Sequence, residues 1–393
     1  MPQADIDGLH ARLDDAVWPE VPDAATWSLG VPPGYLRELA EHWWHRFDWR
    51  AAERRIAADS VVVDTDDHAG VHVLTRRSSR PDAVPVLLLH GWPSTSADFL
   101  DMLGPLTEPT PSEMASHVPP VDLPAFHVVA PSLPGFGFSG PTRELGWDVV
   151  RHARCAAEVM AALGYERYLV QGGDFGSLIG PEIGRLHPER VLGVHVNALA
   201  GSYPDPADPD PLAGLDDADR ARVADLGTIW AQRHGYAAIQ STRPSTLGYA
   251  MTDSPLGLLA WHLEWFVDYD PAGTAQTPVD PDAYLTDVTS FWLTRTAGSA
   301  MRLYAEAAAA FGEARSPSGV PTAVLNLPGD HAVRPFAERS HRIVRWTEHD
   351  RGGHFASLQA PDLLIDDLQA FTAGVLAGEY GAGPSGFEPA ERS

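Results

Sequence analysis

The chain has 393 residues, 28 of them basic and 53 acidic, for a formal net charge of −25. Such acidity excludes the electrostatic footprint of a nucleic-acid binder or of a protein that docks on anionic membranes, and the length is ample for one large core or a core with a substantial insertion. The lone cysteine, Cys155, excludes an internal disulfide, and its apolar helical setting reads as a buried structural thiol. All the basic residues are Arg, with no Lys, which reads as the codon bias of a GC-rich genome. With no basic-then-apolar leader and no apolar run long enough to span a bilayer, a soluble cytoplasmic protein is expected.

Residues 1–60 read as a helical meander. Leu9, Leu13 and Val17 give helical spacing to 7–18, which Pro19 stops, and Leu36, Leu39, Trp43 and Phe47 do the same for 33–48. Trp18, Trp27, Trp43, Trp44 and Trp49 are more aromatic surface than so small a piece can bury alone, so it is expected to lie over another surface. Residues 61–63 and 71–74 read as a hairpin with Asp67, His68 and Gly70 near its turn.

The apolar run 84–90 reads as a strand buried on both faces, ending in His90-Gly91-Trp92-Pro93. A glycine there lets the backbone turn sharply and expose an N–H, which fits half of an oxyanion hole as well as an ordinary strand-to-loop turn. His90 has no second ligand at a metal-binding spacing. A Pro-rich loop is expected over 106–124, a strand over 126–130, a turn-rich bend over 131–139, a helix over 147–163, and strands over 167–170 and 191–196. This alternation says parallel α/β.

The strand at 167–170 runs into Gln171-Gly172-Gly173-Asp174-Phe175-Gly176-Ser177 and then a helix-compatible segment. A Gly-x-Asp-x-Gly corner of this kind strains its central residue and points that side chain out of the sheet. A carboxylate there is already a nucleophile, and its attack on carbon gives an alkyl ester, which narrows the chemistry to an electrophilic sp3 carbon such as an epoxide or alkyl halide. Taken alone, the motif fits an Asp capping the next helix equally well.

Residues 203–211 alternate Asp and Pro and read as a hinge or loop. From 215 to 310 the pattern is mostly helical, with 256–267 rich in Leu, Trp and Phe, and no strand pattern returns until 322–327. A helical insertion is expected to form a lid over the C-terminal ends of the strands, where open α/β sheets bind ligands. Pro328-Gly329-Asp330 follows the strand at 322–327, Arg351-Gly352-Gly353-His354-Phe355 follows a last strand at 343–346, and 361–376 reads as a closing helix. From Gly378 the composition reads as a disordered tail. The expected division is a meander over 1–60, core over 61–200, lid over 201–310, core again over 311–376, and a flexible tail over 377–393.

Together these pieces resemble the epoxide hydrolases of the α/β-hydrolase fold, in the branch similar to microsomal epoxide hydrolase. The resemblance rests on 47–50 (Phe-Asp-Trp-Arg), 90–93 (His-Gly-Trp-Pro), 172–177 (Gly-Gly-Asp-Phe-Gly-Ser), 240–244 (Gln-Ser-Thr-Arg-Pro), 252–255 (Thr-Asp-Ser-Pro) and 351–356 (Arg-Gly-Gly-His-Phe-Ala). It implies a mostly parallel central sheet with a helical lid and an N-terminal helical meander. It implies Asp174 as nucleophile, His354 as general base, Asp330 as its acid, the N–H groups of Trp92 and Phe175 as oxyanion hole, and Tyr236 and Tyr304 as proton donors, with Tyr249 and Tyr269 as rivals. The implied reaction turns an epoxide and water into a vicinal diol, with no metal or organic cofactor. His187, His195 and His341 lack the post-strand loop setting of His354, and Glu338 and Asp350 read as solvated charges. The family commonly has Trp where this chain has Phe175, 56–63 reads unlike the usual segment, and a membrane anchor like that of the microsomal proteins is not expected. The composition is similar to that of soluble bacterial relatives, some of which act in natural-product pathways, including enediyne assembly. Trp261, Trp265, Phe266 and Trp292 hint at a bulky or aromatic substrate, although lid core is the preferred reading of them. Two alternatives stand beside this one: a haloalkane dehalogenase, and a non-catalytic binding protein of the same fold. No nucleic-acid or membrane partner is expected, and a homodimer is left open.

Overall fold

A computed structural model describes residues 1–22, 26–110, 123–200, 204, 208–311 and 316–381. The chain opens on α1 (Gln3–Asp14), α2 (Pro33–His45) and α3 (Trp49–Ala58). The first helix stops at Asp14, short of the expected 18, and Val17, read as part of its apolar face, is 90% exposed. The second stops at His45 rather than 48, because Asp48 instead caps α3 by accepting the N–H of Ala51. The sequence reading missed α3: its buried residues are Trp49 and Ile56, two turns apart, too thin a stripe to register as a period.

Eight strands then form one sheet: β1 (Ser60–Val63), β2 (Val71–Arg76), β3 (Val84–Leu89), β4 (Phe126–Pro131), β5 (Tyr168–Gly172), β6 (Val191–Asn197), β7 (Pro321–Asn326) and β8 (Arg342–Glu348). Their order is β1-β2-β4-β3-β5-β6-β7-β8; β2 runs antiparallel to both neighbours and every other pairing is parallel. This is the α/β-hydrolase fold. The continuous apolar runs occupy the middle: Val86, Leu87, Leu88 and Leu89 of β3 are 0% exposed, as are Leu169 and Val170 of β5. Burying each such side chain contributes about 1.5–3 kcal/mol, and doing so on both faces needs helices on both sides. Between and after the strands come α4 (Leu103–Thr107), α5 (Val149–Ala162), α6 (Gly176–Leu186), α13 (Arg334–Ala337), α14 (Ala356–Gln359) and α15 (Pro361–Leu376). The expected loop over 106–124 begins inside α4, and its residues 111–122 lie outside the described ones, as do 203 and 205–207 of the expected hinge and 382–393 of the expected tail. Within the stretch from Gly378, Tyr380 stacks on Phe371 of α15 at 5.8 Å.

Between β6 and β7 lie α7 (Asp217–Arg233), α8 (Gly235–Thr242), α9 (Pro244–Asp253), α10 (Pro255–Phe266), α11 (Pro281–Thr294) and α12 (Ala297–Glu306). Local chemistry sets their starts: Pro opens α9, α10 and α11, and Asp216, Ser254 and Asp280 cap α7, α10 and α11 by accepting backbone N–H groups. The N-terminal helices bind to this layer. The Trp43 indole N–H donates to Thr289 Oγ1 of α11 at 2.8 Å, His42 Nε2 sits 2.6 Å from Asp282 Oδ1, and Arg12 pairs with Asp253 at 2.9 Å.

Candidate active site

Register places the site. Leu89 at the end of β3 pairs with Gly172 at the end of β5, so the turn after each strand meets the other. Asp174 adopts φ 54, a left-handed conformation that strains a non-glycine residue. A Cβ on Gly172 would collide with the carbonyl of Gly176, and one on Gly176 with the carbonyl of Leu89, so both glycines are required by close approach of strand and helix. A Cβ on Gly91 would collide with the Asp174 carboxylate itself. With that space open, the Trp92 N–H donates to Asp174 Oδ1 at 2.9 Å. Phe175 stands at the start of α6, where the helix dipole is positive. His90 is buried; its Nε2 accepts the Leu133 N–H and its Nδ1 donates to the Gly91 carbonyl, both at 2.9 Å, which fixes the turn. Burial pushes the His90 pKa down to about 4. Ser177 ties the elbow to the loop after β6: its Oγ lies 2.6 Å from the Asp174 carbonyl, 3.1 Å from that of Ala198, and accepts the Ala200 N–H.

His354 Nε2 lies 3.3 Å from Asp174 Oδ2, and its Nδ1 lies 4.0 Å from Asp330 Oδ1. The second separation is an ion-pair distance rather than a hydrogen bond. Burial pushes the His354 pKa down, but the carboxylates of Asp174, Asp330 and Asp268 together outweigh it, and the net shift is upward. Asp330 Oδ2 accepts the N–H groups of Ala198 and Leu327, each at 3.2 Å. Burial raises the Asp330 pKa to about 7 against the lowering effect of His354 and those two N–H groups. The folded state therefore holds this proton more tightly than the unfolded chain does. The stabilisation is present below an unfolded pKa near ~3.9 and is lost as pH rises towards 7. Asp330→Asn, which cannot ionise, is expected to be more stable than the parent by a margin that grows from pH 5 to pH 8 to on the order of a few kcal/mol. Paired urea titrations at the two pH values measure it.

Facing Asp174 is a box of rings. Tyr236 stacks on Trp92 at 5.5 Å, Tyr304 meets Trp92 edge-on at 5.7 Å and Phe175 at 4.8 Å, and the two tyrosine hydroxyls are 3.5 Å apart. Burial, reinforced by Tyr236 and Asp174, raises the Tyr304 pKa well above its ordinary value and keeps the hydroxyl protonated. Both tyrosines share a cavity of about 440 Å³ with Asp174, Asp330 and His354. Tyr249 is 81% exposed, and Tyr269 lines the cavity but donates its hydroxyl to the Arg233 carbonyl at 3.1 Å. Of the four lid aromatics singled out in the sequence, Trp265 lines the cavity with its ring 4.9 Å from that of His354. Phe266 packs on Phe355, Trp261 donates to Gln240, and Trp292 lines a separate groove beside α1. Away from the cavity, His195 is buried against Asp367 at 3.0 Å, His187 stands beside Glu189, burial pushes His341 down to about 4, Glu338 pairs with Arg334, and Asp350 is exposed.

The sequence reading missed the polar ends of two strands. Gln171 closes the apolar run of β5 and Asn197 that of β6; Gln171 donates to Asn197 Oδ1 at 2.9 Å, and Asn197 donates to the His354 carbonyl at 3.3 Å. A buried amide at the C-terminal end of an apolar strand was the available signal.

Residues 1–99 match the family model described as epoxide hydrolase N terminus, and 84–243 match that of the alpha/beta hydrolase fold. The chain is 35% identical over 372 residues to a protein of Stigmatella aurantiaca named "Putative epoxide hydrolase", covering 94% of this chain and 82% of that one. The chain belongs to the epoxide hydrolase family. Epoxide hydrolase 1 of Sus scrofa is 29% identical, with 93% of this chain and 86% of that one covered. The structure of Aspergillus niger epoxide hydrolase superposes with a TM-score of 0.80 at 29% identity, over 95% of this chain and 94% of that one. The protein is therefore an α/β-hydrolase-fold enzyme of the epoxide hydrolase type. Among the described residues of this epoxide hydrolase, no helix is long and apolar enough to cross a membrane, and no group of three or more His, Cys, Asp or Glu could hold a metal ion.

Proposed function

We propose that this epoxide hydrolase works in two steps through an ester on Asp174. Asp174 Oδ2 attacks an epoxide carbon, the C–O bond of the ring breaks, and the ring oxygen takes a proton from Tyr236 or Tyr304. A tyrosine suits this because its hydroxyl, with an ordinary pKa near ~10, is still protonated at neutral pH yet readily gives its proton to an alkoxide. His354 then removes a proton from water, the water oxygen adds to the carboxyl carbon of Asp174, and Oδ1 carries the negative charge against the N–H groups of Trp92 and Phe175. Collapse expels the diol with Oδ2 as its new oxygen, which takes the proton from His354, and the proton left on the new carboxyl group of Asp174 returns to the tyrosinate. Asp330, at an ion-pair distance from Nδ1, balances the charge of the imidazolium, as the third member of a nucleophile–base–acid triad does.

The observation that carries this reading is the environment of Asp174. One carboxylate oxygen is held by a backbone N–H, the other faces an imidazole, and two tyrosine hydroxyls stand opposite across one cavity. The apolar walls, including Phe175, Trp265 and Tyr269, support a bulky or aromatic epoxide as substrate. A single turnover of styrene oxide in 18O-labelled water, with enzyme in excess, tests the route. The expected result is an unlabelled first-turnover diol, with the label in the peptide that contains Asp174. Label directly in the diol would mean that water attacks the epoxide itself, and the ester route would be wrong.

A further inference from the structure

One side chain from the segment between α10 and α11 accounts for two glycines in the loops that carry Asp330 and His354. Gly329 has φ 87, which favours glycine on its own account, and a Cβ there would also collide with Gln276 Nε2. Gly353 lies outside the left-handed region, so its backbone would accept any residue, yet a Cβ there would collide with the side-chain amides of both Gln276 and Gln359. A side chain at 353 would have to displace the amide ends of Gln276 and Gln359 from the hydrogen bonds they make. Gln276 Oε1 accepts the backbone N–H of His354 at 2.9 Å and a proton of Gln359 Nε2 at 3.3 Å. Gln359 in turn donates to the Thr277 carbonyl at 2.6 Å and accepts the Phe355 N–H at 2.8 Å. The Thr277 N–H donates to the Gly352 carbonyl at 2.8 Å, and the Gly352 N–H donates to Thr277 Oγ1 at 3.0 Å. The far end is held as well: the Gln276 N–H donates to Thr274 Oγ1, whose proton goes to Asp268. Gln276 is therefore a wedge between the acid loop and the histidine loop, stitched to the backbone on both sides of His354.

We propose that Gln276 is a positioning residue for ester hydrolysis and not for ester formation; this rests on the two-step reading above. Ester formation needs Asp174, Tyr236 and Tyr304, which are held by Trp92, by Ser177 and by the ring box. Hydrolysis needs the imidazole of His354 aimed at a water beside the ester, and its backbone N–H is anchored by Gln276. A slower second step lowers kcat and KM together and leaves kcat/KM, which reports steps up to ester formation, unchanged. A residue that merely bound substrate or supported the fold would not produce that split.

The test is rapid-quench kinetics with styrene oxide on the full-length parent enzyme, Gln276→Met and Gln276→Glu, following formation and decay of the alkylated 174 peptide by mass. Met keeps the length and loses the acceptor; Glu keeps the acceptor. In Gln276→Met, ester decay and kcat are expected to fall about 10–100-fold, the consequence of a base misplaced by a fraction of an ångström to an ångström, with KM falling in parallel and ester formation near the parent rate. Gln276→Glu is expected to recover most of the decay rate, with its pH profile moved upward because an added carboxylate stabilises the imidazolium. Ester decay at the parent rate in Gln276→Met, equal loss of both steps, or no recovery in Gln276→Glu would each overturn the assignment while leaving the ester route standing. If the parent itself forms no ester, the two-step reading falls and this inference with it.

Discussion

His354→Gln is expected to stop the enzyme half-way, with the substrate bound to Asp174 as a stable ester. Glutamine can still offer a donor to Asp174 Oδ2, which lies 3.3 Å from the imidazole in the parent, so ester formation should survive. It cannot take a proton from water, so turnover should fall by about 10³-fold or more. The readout is the mass of the 174 peptide after mixing with styrene oxide: close to one substrate adduct per enzyme, decaying over hours. The pH dependence carries a second signature. His354 is a base only when neutral, and the net effect of its carboxylate neighbours over burial is to raise its pKa in the free enzyme. Decay of the ester in the parent should therefore rise with pH as His354 loses its proton. Alkylation removes the charge of Asp174, one of the groups that raises this pKa, so the midpoint of ester decay should lie below that of His354 in the free enzyme. In His354→Gln the decay should show no such titration. An adduct that turns over at the parental rate in this variant would remove His354 from the mechanism.

The double replacement Tyr236→Phe with Tyr304→Phe is expected to act on the other step. Without a proton the ring oxygen must leave as an alkoxide, and loss of a positioned general acid slows such a step by about 10²–10⁴-fold. The two hydroxyls are 3.5 Å apart and face one cavity, so either can serve the same oxygen. Each single change should slow ester formation by less than half of the double effect on a logarithmic scale, because the remaining hydroxyl covers for the lost one. Ester decay, once ester is made, should be near parental. Burst kinetics on the three variants measure all of this. A halide leaves without a proton, so the dehalogenase alternative requires that ester formation from a haloalkane be indifferent to both hydroxyls.

Much of the fold was legible because its strands are extreme. The runs at 84–90, 126–130, 167–170 and 191–196 are apolar but for His90, His127, Arg167 and His195, as a strand covered on both faces demands, and the run at 361–376 coincides with α15. The α3 helix was illegible because its buried stripe is two residues wide, and the end of α1 because Val17 continues a helical spacing into chain that is exposed. In the candidate site, the sharp corner at Asp174 was legible through Gly172 and Gly176, which close approach of strand and helix requires, while the motif alone fitted a capping Asp equally well. Gln171, Asn197 and Gln276 did not, because a single buried amide leaves no periodic or spaced trace; its meaning lies in partners far away in the chain. Among the lid aromatics the sequence offered four equivalent candidates, and only the way α10 turns its face decides that Trp265 sees the cavity while Phe266 sees the core.

The α7 helix has no fully buried residue, yet Leu226, Ile229, Trp230 and Arg233 from it line the cavity. It is held by Val223 against a small cluster of Leu215, Val333 and Phe336, and by the Arg222–Glu348 and Arg233–Asp268 pairs. Trp230 is 49% exposed and Leu226 and Ile229 are half-buried, so substitutions there lack the cavity and overpacking costs of a closed core. Where Leu226, Ile229 and Trp230 form it, the wall of the binding chamber is thus separable from the foundations of the protein. Changes there can alter which epoxides are admitted while the sheet, the elbow and the histidine loop keep their stability, so the repertoire of this enzyme is free to drift where its fold is not.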